Sequence, residues 1–152
     1  MKTVCFVGHR EEWRCGKLDQ QLEEVIEGLI QKGYLHFFDG NKGAFDKLCV
    51  KILLKLKDKY PNIKIYRVLT NHLRKDDYIP SFIEEVIIPE DIPYLHFKQR
   101  ITKRNEWMID NCDIVVCYII NKINSGAYKT YLYAKKRKKE IVCIKRNLES
   151  LI

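Results

Sequence analysis

The stretch Asp39-Gly40-Asn41-Lys42-Gly43-Ala44-Phe45-Asp46 separates an apolar run from a segment whose apolar residues recur with helical spacing. The run predicts a β-strand and the segment predicts an α-helix, so the glycine loop between them opens a helix. Glycines let a ligand approach the backbone closely, and a helix start attracts an anion. We therefore take the loop as a candidate phosphate site, with Lys42 as a source of positive charge. A plain strand-to-helix turn is the alternative.

A second loop of this kind, Asn124-Ser125-Gly126-Ala127, follows the apolar run 114–120 and precedes another helical pattern. Ser125 is the expected N-cap of that helix, and Thr130 follows closely enough to face the same anion. A third turn, Gly8-His9-Arg10, ends the apolar run 4–7 and adds a cation and a titratable ring. If the three strands are parallel, all three turns lie at one edge of the sheet, where open α/β folds bind ligands.

The apolar pattern alternates between strands and helices along the chain. Strands are predicted at residues 4–7, 34–38, 63–69, 114–120 and 141–144, and helices at 18–30, 45–56, 98–112 and 128–137. This alternation favours an α/β fold, a mostly parallel sheet of about five strands with helices on both faces. The length of 152 residues fits a single domain spanning residues 1–152.

Between residues 70 and 97 the pattern loosens, and Pro80, Pro89 and Pro93 interrupt it. A short helix is predicted around residues 82–86, with irregular segments on both sides. A connection of this length is long enough to act as a lid or as a contact in a dimer.

The composition, with 46% hydrophobic and 32% charged residues, is typical of a soluble globular protein. No apolar stretch approaches the length of a membrane span, and the N-terminus runs directly into a predicted core strand, so we expect a cytoplasmic protein without membrane contact. A net charge of +8 can attract nucleic acid, nucleotides or anionic membrane. We prefer the interpretation that the lysines solvate helix faces or complement a helix end, as in the run 135–139, and a nucleic-acid patch is the alternative.

Six cysteines are spread along the chain without CxxC pairs or the spacing of zinc ligands. No metal site is predicted. The patterns around Cys15 and Cys112 leave their environments open. The other four lie in predicted strands or on an apolar helix face, and we expect them to be buried, reduced thiols: Cys5, Cys49, Cys117 and Cys143.

Arg104 and Asn105 lie near the middle of a predicted helix. Because Arg104 shares an apolar stripe with Met108, its side chain must reach the edge of the sheet or find a buried partner. A surface ion pair is the alternative. Asp46 falls in the first turn of its helix, where the dipole stabilises a carboxylate and where it can also accept a ribose hydroxyl. For His9 we expect a turn histidine with satisfied hydrogen bonds and no catalytic role.

Four motifs occur in a fixed order and together resemble the YpsA-type branch of the SLOG superfamily. They are Val7-Gly8-His9-Arg10, Gly40-x-x-Gly43-x-Phe45-Asp46, Arg104-Asn105-x-Trp107-Met108 and Ser125-Gly126-Ala127-Tyr128-Lys129-Thr130. This superfamily also contains the DprA/Smf DNA-processing proteins and the "lonely guy" cytokinin-activating phosphoribohydrolases. The resemblance implies a modified, three-layer Rossmann-like fold that binds a nucleotide or a nucleotide-derived ligand at its glycine loops.

The resemblance also implies roles for individual residues. Backbone donors would come from the two glycine loops, phosphate charge would be neutralised by arginines, and ribose or base would be read by polar side chains. The corresponding ligand-binding residues are Gly8, His9, Arg10, Gly40, Asn41, Gly43, Asp46, Arg104, Asn105, Ser125, Gly126 and Thr130. A nucleotide-type molecule is the only ligand implied, and no other cofactor is identified. Dimers and tetramers are common in the resembling families, so we expect a homo-oligomer.

Two departures from the family pattern bear on activity. Ser125 stands where the family usually has the first of two glycines. The phosphoribohydrolases carry a catalytic glutamate on the next helical turn, and here that stretch reads Tyr131-Leu132-Tyr133. Without a carboxylate to activate water, hydrolysis of an N-glycosidic bond is disfavoured, although Asp39 or Asp46 offers a substitute. No catalytic residue is assigned.

Three functions follow in order of preference. The first is binding of a nucleotide-derived small molecule without turnover, as a sensor or regulatory protein. The second is a nucleotide N-glycosidase of the phosphoribohydrolase kind. The third is DprA-like binding of single-stranded nucleic acid through the basic surface, with bases stacking on tyrosines of the last predicted helix, Tyr128, Tyr131 and Tyr133.

Overall fold

The structure, a computed structural model, describes residues 2–9, 18–120 and 125–144. Strands and helices alternate along these residues, as the apolar pattern predicts, except that two strands follow one another after the second helix. The strands are β1 (Thr3–Gly8), β2 (His36–Asp39), β3 (Lys64–Val68), β4 (Ile83–Ile87), β5 (Ile114–Tyr118) and β6 (Glu140–Cys143). The helices are α1 (Leu18–Gln31), α2 (Gly43–Lys57), α3 (Phe97–Asp110) and α4 (Gly126–Lys136), with a short 3-10 helix at Ile92–Tyr94.

The described strands form one six-stranded sheet in the order β4-β3-β2-β1-β5-β6. All five pairings are parallel, and β1 is central, with Cys5 opposite Phe38 of β2 on one side and Val115 of β5 on the other. The chain builds outward from β1 through β2, β3 and β4, and then crosses to the other side of β1 for β5 and β6. The ends of β1 and β5 therefore form the switch point of the sheet, where doubly wound folds hold ligands.

Helices cover both faces of the sheet, because successive side chains of a strand point to opposite sides. Val4 and Phe6 of β1 pack into the core beneath α1 and α2, whereas Cys5 and Val7 pack into the core beneath α3 and α4. The prediction of an α/β fold with helices on both faces is confirmed. Within the described residues no helix has both the length and the hydropathy that a membrane span requires.

The end of β1 lies unusually close to α2. A Cβ atom added to Gly8 would lie 2.2 Å from the ring of Phe45, which is buried in the first turn of α2. The backbone of His9 accepts a hydrogen bond from the Phe45 N–H at 3.4 Å. The glycine therefore sets the distance at which the start of α2 meets the edge of the sheet.

The prediction of a short helix around residues 82–86 is wrong. Residues 83–86 of this segment lie in β4, an edge strand that pairs with β3, and the sheet has one strand more than expected. Pro80 and Pro89 leave too few residues between them for a stable helix, and the β-branched residues of the segment suit a strand. The backbone groups of β3 supply its hydrogen bonds.

The structure describes five cysteines, all as free thiols. Cys5, Cys49, Cys112 and Cys117 are buried. The expectation of a buried thiol is wrong for Cys143, which is exposed because β6 is the other edge of the sheet. Cys143 lies directly opposite Cys117 of β5, with their sulfur atoms 3.0 Å apart. Cys15 lies outside the described residues.

Candidate functional site

A cleft of about 740 Å³ opens at the carboxyl edge of the sheet, at the switch point between β1 and β5. Three parts of the sequence that are far apart in the chain meet around it. Gly8 and His9 come from the end of β1, Lys42 and Asp46 come from the start of α2, and Ser125 and Gly126 come from the start of α4. The loops selected from the sequence therefore share one cavity.

The lining of the cleft is cationic. Among the described residues that line it, five are basic and two are acidic. The start of α4 adds the positive end of a helix dipole. The basic residues are Lys42, Lys98, Arg104, Lys129 and Lys136, and the acidic ones are Asp46 and Glu106. A cavity with this balance attracts an anionic ligand.

His9 joins the ends of β1 and β5. Its side chain is buried, and its Nε2 atom accepts a hydrogen bond from the backbone N–H of Ile120 at 2.8 Å. An accepting Nε2 means that the proton of the neutral ring lies on Nδ1. The ring therefore helps to fix the edge of the cleft, as expected for a turn histidine with satisfied hydrogen bonds.

The first glycine loop is held by two carboxylates. Asp39 Oδ1 accepts from the Asn41 N–H at 2.8 Å, and Asp46 Oδ2 accepts from the Lys42 N–H at 3.0 Å. Asn41 has a φ of 53° and Gly43 a φ of 86°, both in the left-handed region that asparagine and glycine tolerate best. These contacts fix the path of the loop into α2.

Arg104 is the largest fully buried side chain of the described residues, with 2% of its surface exposed. Its Nη1 atom donates to the carbonyl oxygens of Gly40 at 2.7 Å and Val68 at 3.0 Å. A Cβ on Gly40 would lie 3.3 Å from Arg104 Cζ and 3.2 Å from Asp46 Oδ2, so the guanidinium and this carboxylate both border that glycine. Arg104 thus ties α3 to the ends of β2 and β3.

A chain of hydrogen bonds links the two glycine loops. Arg104 Nε donates to Asn105 Oδ1 at 3.0 Å, and Asn105 Nδ2 makes a longer contact of 3.5 Å with Thr130 Oγ1. The Thr130 hydroxyl donates to the carbonyl oxygen of Gly126 at 2.9 Å. Because Arg104 also binds Gly40, the polar side chains between α3 and α4 connect the loop before α2 to the start of α4.

Ser125 is the N-cap of α4, as expected. Its Oγ accepts from the N–H of Tyr128 at 2.9 Å. A Cβ atom added at Gly126 would meet nothing within 4 Å, so this position opens directly into free space at the cleft. A ligand can therefore approach the backbone here without displacing protein atoms.

Most of the predicted site residues meet in the cleft. Its lining includes Gly8, His9, Asp46, Arg104, Asn105, Ser125, Gly126 and Thr130. Gly40 and Asn41 line a smaller neighbouring hollow, which also borders on Lys42 and Arg104. Gly43 is the first residue of α2, between Lys42 and Asp46 in the chain. Arg10 and Asn124 lie outside the described residues.

The sequence analysis missed residues of the cleft that lie on α3 and α4. They follow the helical period from residues that were selected, since Thr102 lies one turn before Asn105, Lys98 about two turns before it, and Lys136 about two turns after Thr130. Tyr133, one turn after Thr130, was selected only as a ring for stacking bases. Glu106, the second carboxylate of the lining, was also missed. Extending each motif by helical spacing finds these residues.

The carboxylates near the cleft have protein partners. Asp39 is buried and accepts from Arg67 Nε and Nη2, both at 3.2 Å. Asp46 binds the N–H that precedes α2, and Glu106 is paired with Lys103 at 3.4 Å. Asp39 and Asp46 thus stabilise the loop into α2, and only Asp46 and Glu106 among the three line the cleft.

These features define the class of the protein. It is a Rossmann-like α/β protein with a parallel sheet and a cleft at the switch point of that sheet.

A solved structure of similar fold is the molybdenum cofactor carrier protein from Chlamydomonas reinhardtii. The two share 12% sequence identity with a TM-score of 0.63, and the match covers 99% of this chain and 81% of that chain. At this identity the likeness establishes the fold alone. No protein-family profile matches the chain, and no curated protein sequence matches it.

Proposed function

We propose that the protein binds a nucleotide or another nucleotide-derived phosphorylated small molecule in the cleft, as a carrier, sensor or regulator. The observation that carries this proposal is the meeting of the β1 turn, the start of α2 and the start of α4 around one cationic cavity. Its volume of about 740 Å³ suits a ligand of nucleotide size. The YpsA-type branch of the SLOG superfamily is the family to which we assign it.

The proposed ligand places its phosphate against the start of α4. There the open space at Gly126 exposes the backbone, and Ser125 caps the helix. The side chains of Lys42 and Lys129 neutralise charge from the rim, and Asn105 and Thr130 contact the ribose or the base. Arg104 acts mainly as a positioning residue, because its buried guanidinium holds the carbonyl groups of Gly40 and Val68.

Binding without turnover is the favoured mode. The carboxylates Asp39 and Asp46 stabilise the first loop, and the helical turn that carries the catalytic glutamate in the phosphoribohydrolases has Leu132 and Tyr133 at the cleft. The name of the carrier protein with the similar fold agrees with a function of holding a small molecule. A carrier needs a fitted cavity and no general base.

The first experiment measures binding of nucleoside 5′-monophosphates, beginning with adenosine 5′-monophosphate, by isothermal titration calorimetry. Gly126→Ala is the decisive variant, since its methyl group projects into open space and leaves the fold intact. We expect it to weaken binding by about tenfold, which corresponds to about 1.4 kcal/mol.

Gly28→Ala is the matched control, because the same atom is added in α1, far from the cleft, and also meets nothing within 4 Å. Equal affinities of wild type, Gly126→Ala and Gly28→Ala would contradict the placement of the phosphate at the start of α4. Release of free base from the bound nucleotides, detected by chromatography above a buffer control, would make the protein an enzyme and would contradict binding without turnover.

A further inference from the structure

A second hollow of about 280 Å³ lies beside the cleft, over the ends of β2 and β3. Its walls come from the loop Gly40–Lys42 and from the segment that follows β3, including Thr70, Asn71, His72 and Arg74. The first glycine loop forms one of its walls, but the proposed phosphate position at α4 does not account for the hollow.

The hollow is cationic as well. Four arginine and lysine residues line it, together with His72. Among the described residues of its lining, Asp77 is the one carboxylate. Asp77 is already engaged, because its Oδ2 atom accepts from the backbone N–H of Arg74 at 2.6 Å. The four cations are Lys42, Arg67, Arg74 and Arg104. Such a lining favours an anionic group over a neutral or cationic one.

Arg67 offers a donor to this hollow. Its Nε and Nη2 atoms both bind Asp39, which leaves Nη1 without a partner among the described residues. No buried side-chain nitrogen or oxygen of the described residues lacks a hydrogen bond, so Nη1 must be reachable from solvent. Because Arg67 lines the hollow, Nη1 is the donor that this side chain can offer to a ligand there.

The wall formed by the segment after β3 is held in place by α3. Arg100 of α3 donates from Nη1 to Asn71 Oδ1 and from Nε to the Leu95 carbonyl oxygen, the latter at 2.8 Å. Asn71 Nδ2 in turn donates to Thr70 Oγ1 at 3.2 Å. These bonds hold the segment after β3 in place, so the hollow is a shaped cavity with polar groups at defined positions.

The hollow and the main cleft are neighbours at the first glycine loop, since Lys42 and Arg104 line both. We infer that the hollow holds a second anionic group, a phosphate or a carboxylate, of the same molecule that fills the cleft. The ligand is then a molecule with two separated anionic groups, such as a nucleoside bisphosphate. This inference rests on the proposed function for the part of the ligand that lies in the cleft.

The first arm of the test examines the hollow alone, with inorganic phosphate as the probe and amide chemical shifts as the readout. We expect phosphate to shift the amide resonances of residues 69–74, and Arg74→Gln to abolish those shifts. Lys75→Gln is the control, since it removes a charge from the neighbouring exposed residue, which does not line the hollow. Unmoved resonances at 69–74, or equal behaviour of the two variants, would overturn the inference.

The second arm compares adenosine 3′,5′-bisphosphate with adenosine 5′-monophosphate by calorimetry. We expect the bisphosphate to bind about tenfold more tightly, and Arg74→Gln to remove most of that gain while leaving the monophosphate unchanged. If phosphate shifts the amide resonances of residues 69–74 but the bisphosphate binds no more tightly than the monophosphate, the hollow is an independent anion site. The inference that one ligand occupies both cavities is then wrong. Failure of the proposed function would give a different result, because no nucleotide would then shift the amide resonances of residues 125–130.

Discussion

Gly8 decides how closely α2 approaches the sheet. Because a Cβ there would lie 2.2 Å from Phe45, an alanine forces either the buried ring or the strand to move. We expect Gly8→Ala to lower the free energy of unfolding by about 3 kcal/mol, the range of severe overpacking. Urea unfolding followed by circular dichroism measures this value.

We expect Gly28→Ala, the same chemical change, to have the opposite effect on the free energy of unfolding. The position is in the interior of α1 with no heavy atom within 4 Å of the added carbon, so alanine should stabilise the helix by about 0.5–1 kcal/mol. If Gly8→Ala were as stable as Gly28→Ala, the close contact between β1 and α2 would not exist in solution.

We expect the cysteines to differ in reactivity, because some thiols are buried with a raised pKa and Cys143 is exposed. A hydrogen bond with Cys112 and burial raise the pKa of Cys5 well above its ordinary value, and burial raises the pKa of Cys49 and Cys117. Thiolates react with iodoacetamide and thiols do not. At pH 8 we therefore expect labelling at exposed Cys143 and protection at Cys5, Cys49 and Cys117, measured by peptide mass spectrometry.

Labelling in urea is the control for this prediction, since all thiols become accessible when the protein unfolds. The comparison of Cys117 with Cys143 is the most stringent, because the two residues are paired on neighbouring strands. Labelling of both at equal rates in the native protein would mean that β6 does not stay paired with β5.

Arg104 shows what sequence could and could not provide at the scale of one residue. Its position on an apolar stripe predicted that it must reach the edge of the sheet or find a buried partner, and it does both. Its partners are carbonyl groups of residues 40 and 68, distant in sequence. A carbonyl group has no sequence signature, so only the tertiary structure reveals these bonds.

At the scale of the element, most strands and helices followed from the period of their apolar residues. The strand β4 did not, since its residues Ile83 to Ile87 are at best partly buried and show no clear alternation. Its pairing with β3 stabilises it, and that pairing depends on a tertiary contact. Edge strands carry the weakest sequence signal for this reason.

The start of α2 depends on Asp46. Its carboxylate accepts from the Lys42 N–H at 3.0 Å and lies within the first turn, where the helix dipole favours a negative charge. We expect Asp46→Ala to lower the free energy of unfolding by about 1–2 kcal/mol, and Asp46→Asn to cost less because its amide oxygen can still accept. Urea unfolding of both variants tests the difference, and equal losses would contradict the role of the hydrogen bond.

At the scale of the molecule, the sheet topology explains why motifs distant in sequence share one site. The chain reverses its direction of growth at β1, so the turn after β1 and the start of α4 meet at the same edge. The sequence predicted this meeting from parallel strands. It did not predict the second hollow, because that cavity depends on the path of residues 69–79 after β3.

The net charge of +8 and the local charge of the cleft make different predictions about anion binding. Lys129→Gln removes a charge from the cleft lining, whereas Lys47→Gln removes the same charge from an exposed position of α2 away from it. At low salt we expect Lys129→Gln to weaken binding of adenosine 5′-monophosphate by about 2–5-fold, the effect of about 0.5–1 kcal/mol, and Lys47→Gln to leave it unchanged.

The difference in affinity between the two variants should narrow as salt rises, because the Debye length falls from about 10 Å at 0.1 M to about 3 Å at 1 M. Calorimetry at several salt concentrations measures both effects. Equal losses from the two variants would mean that overall charge, and not the field of the cleft, attracts the ligand.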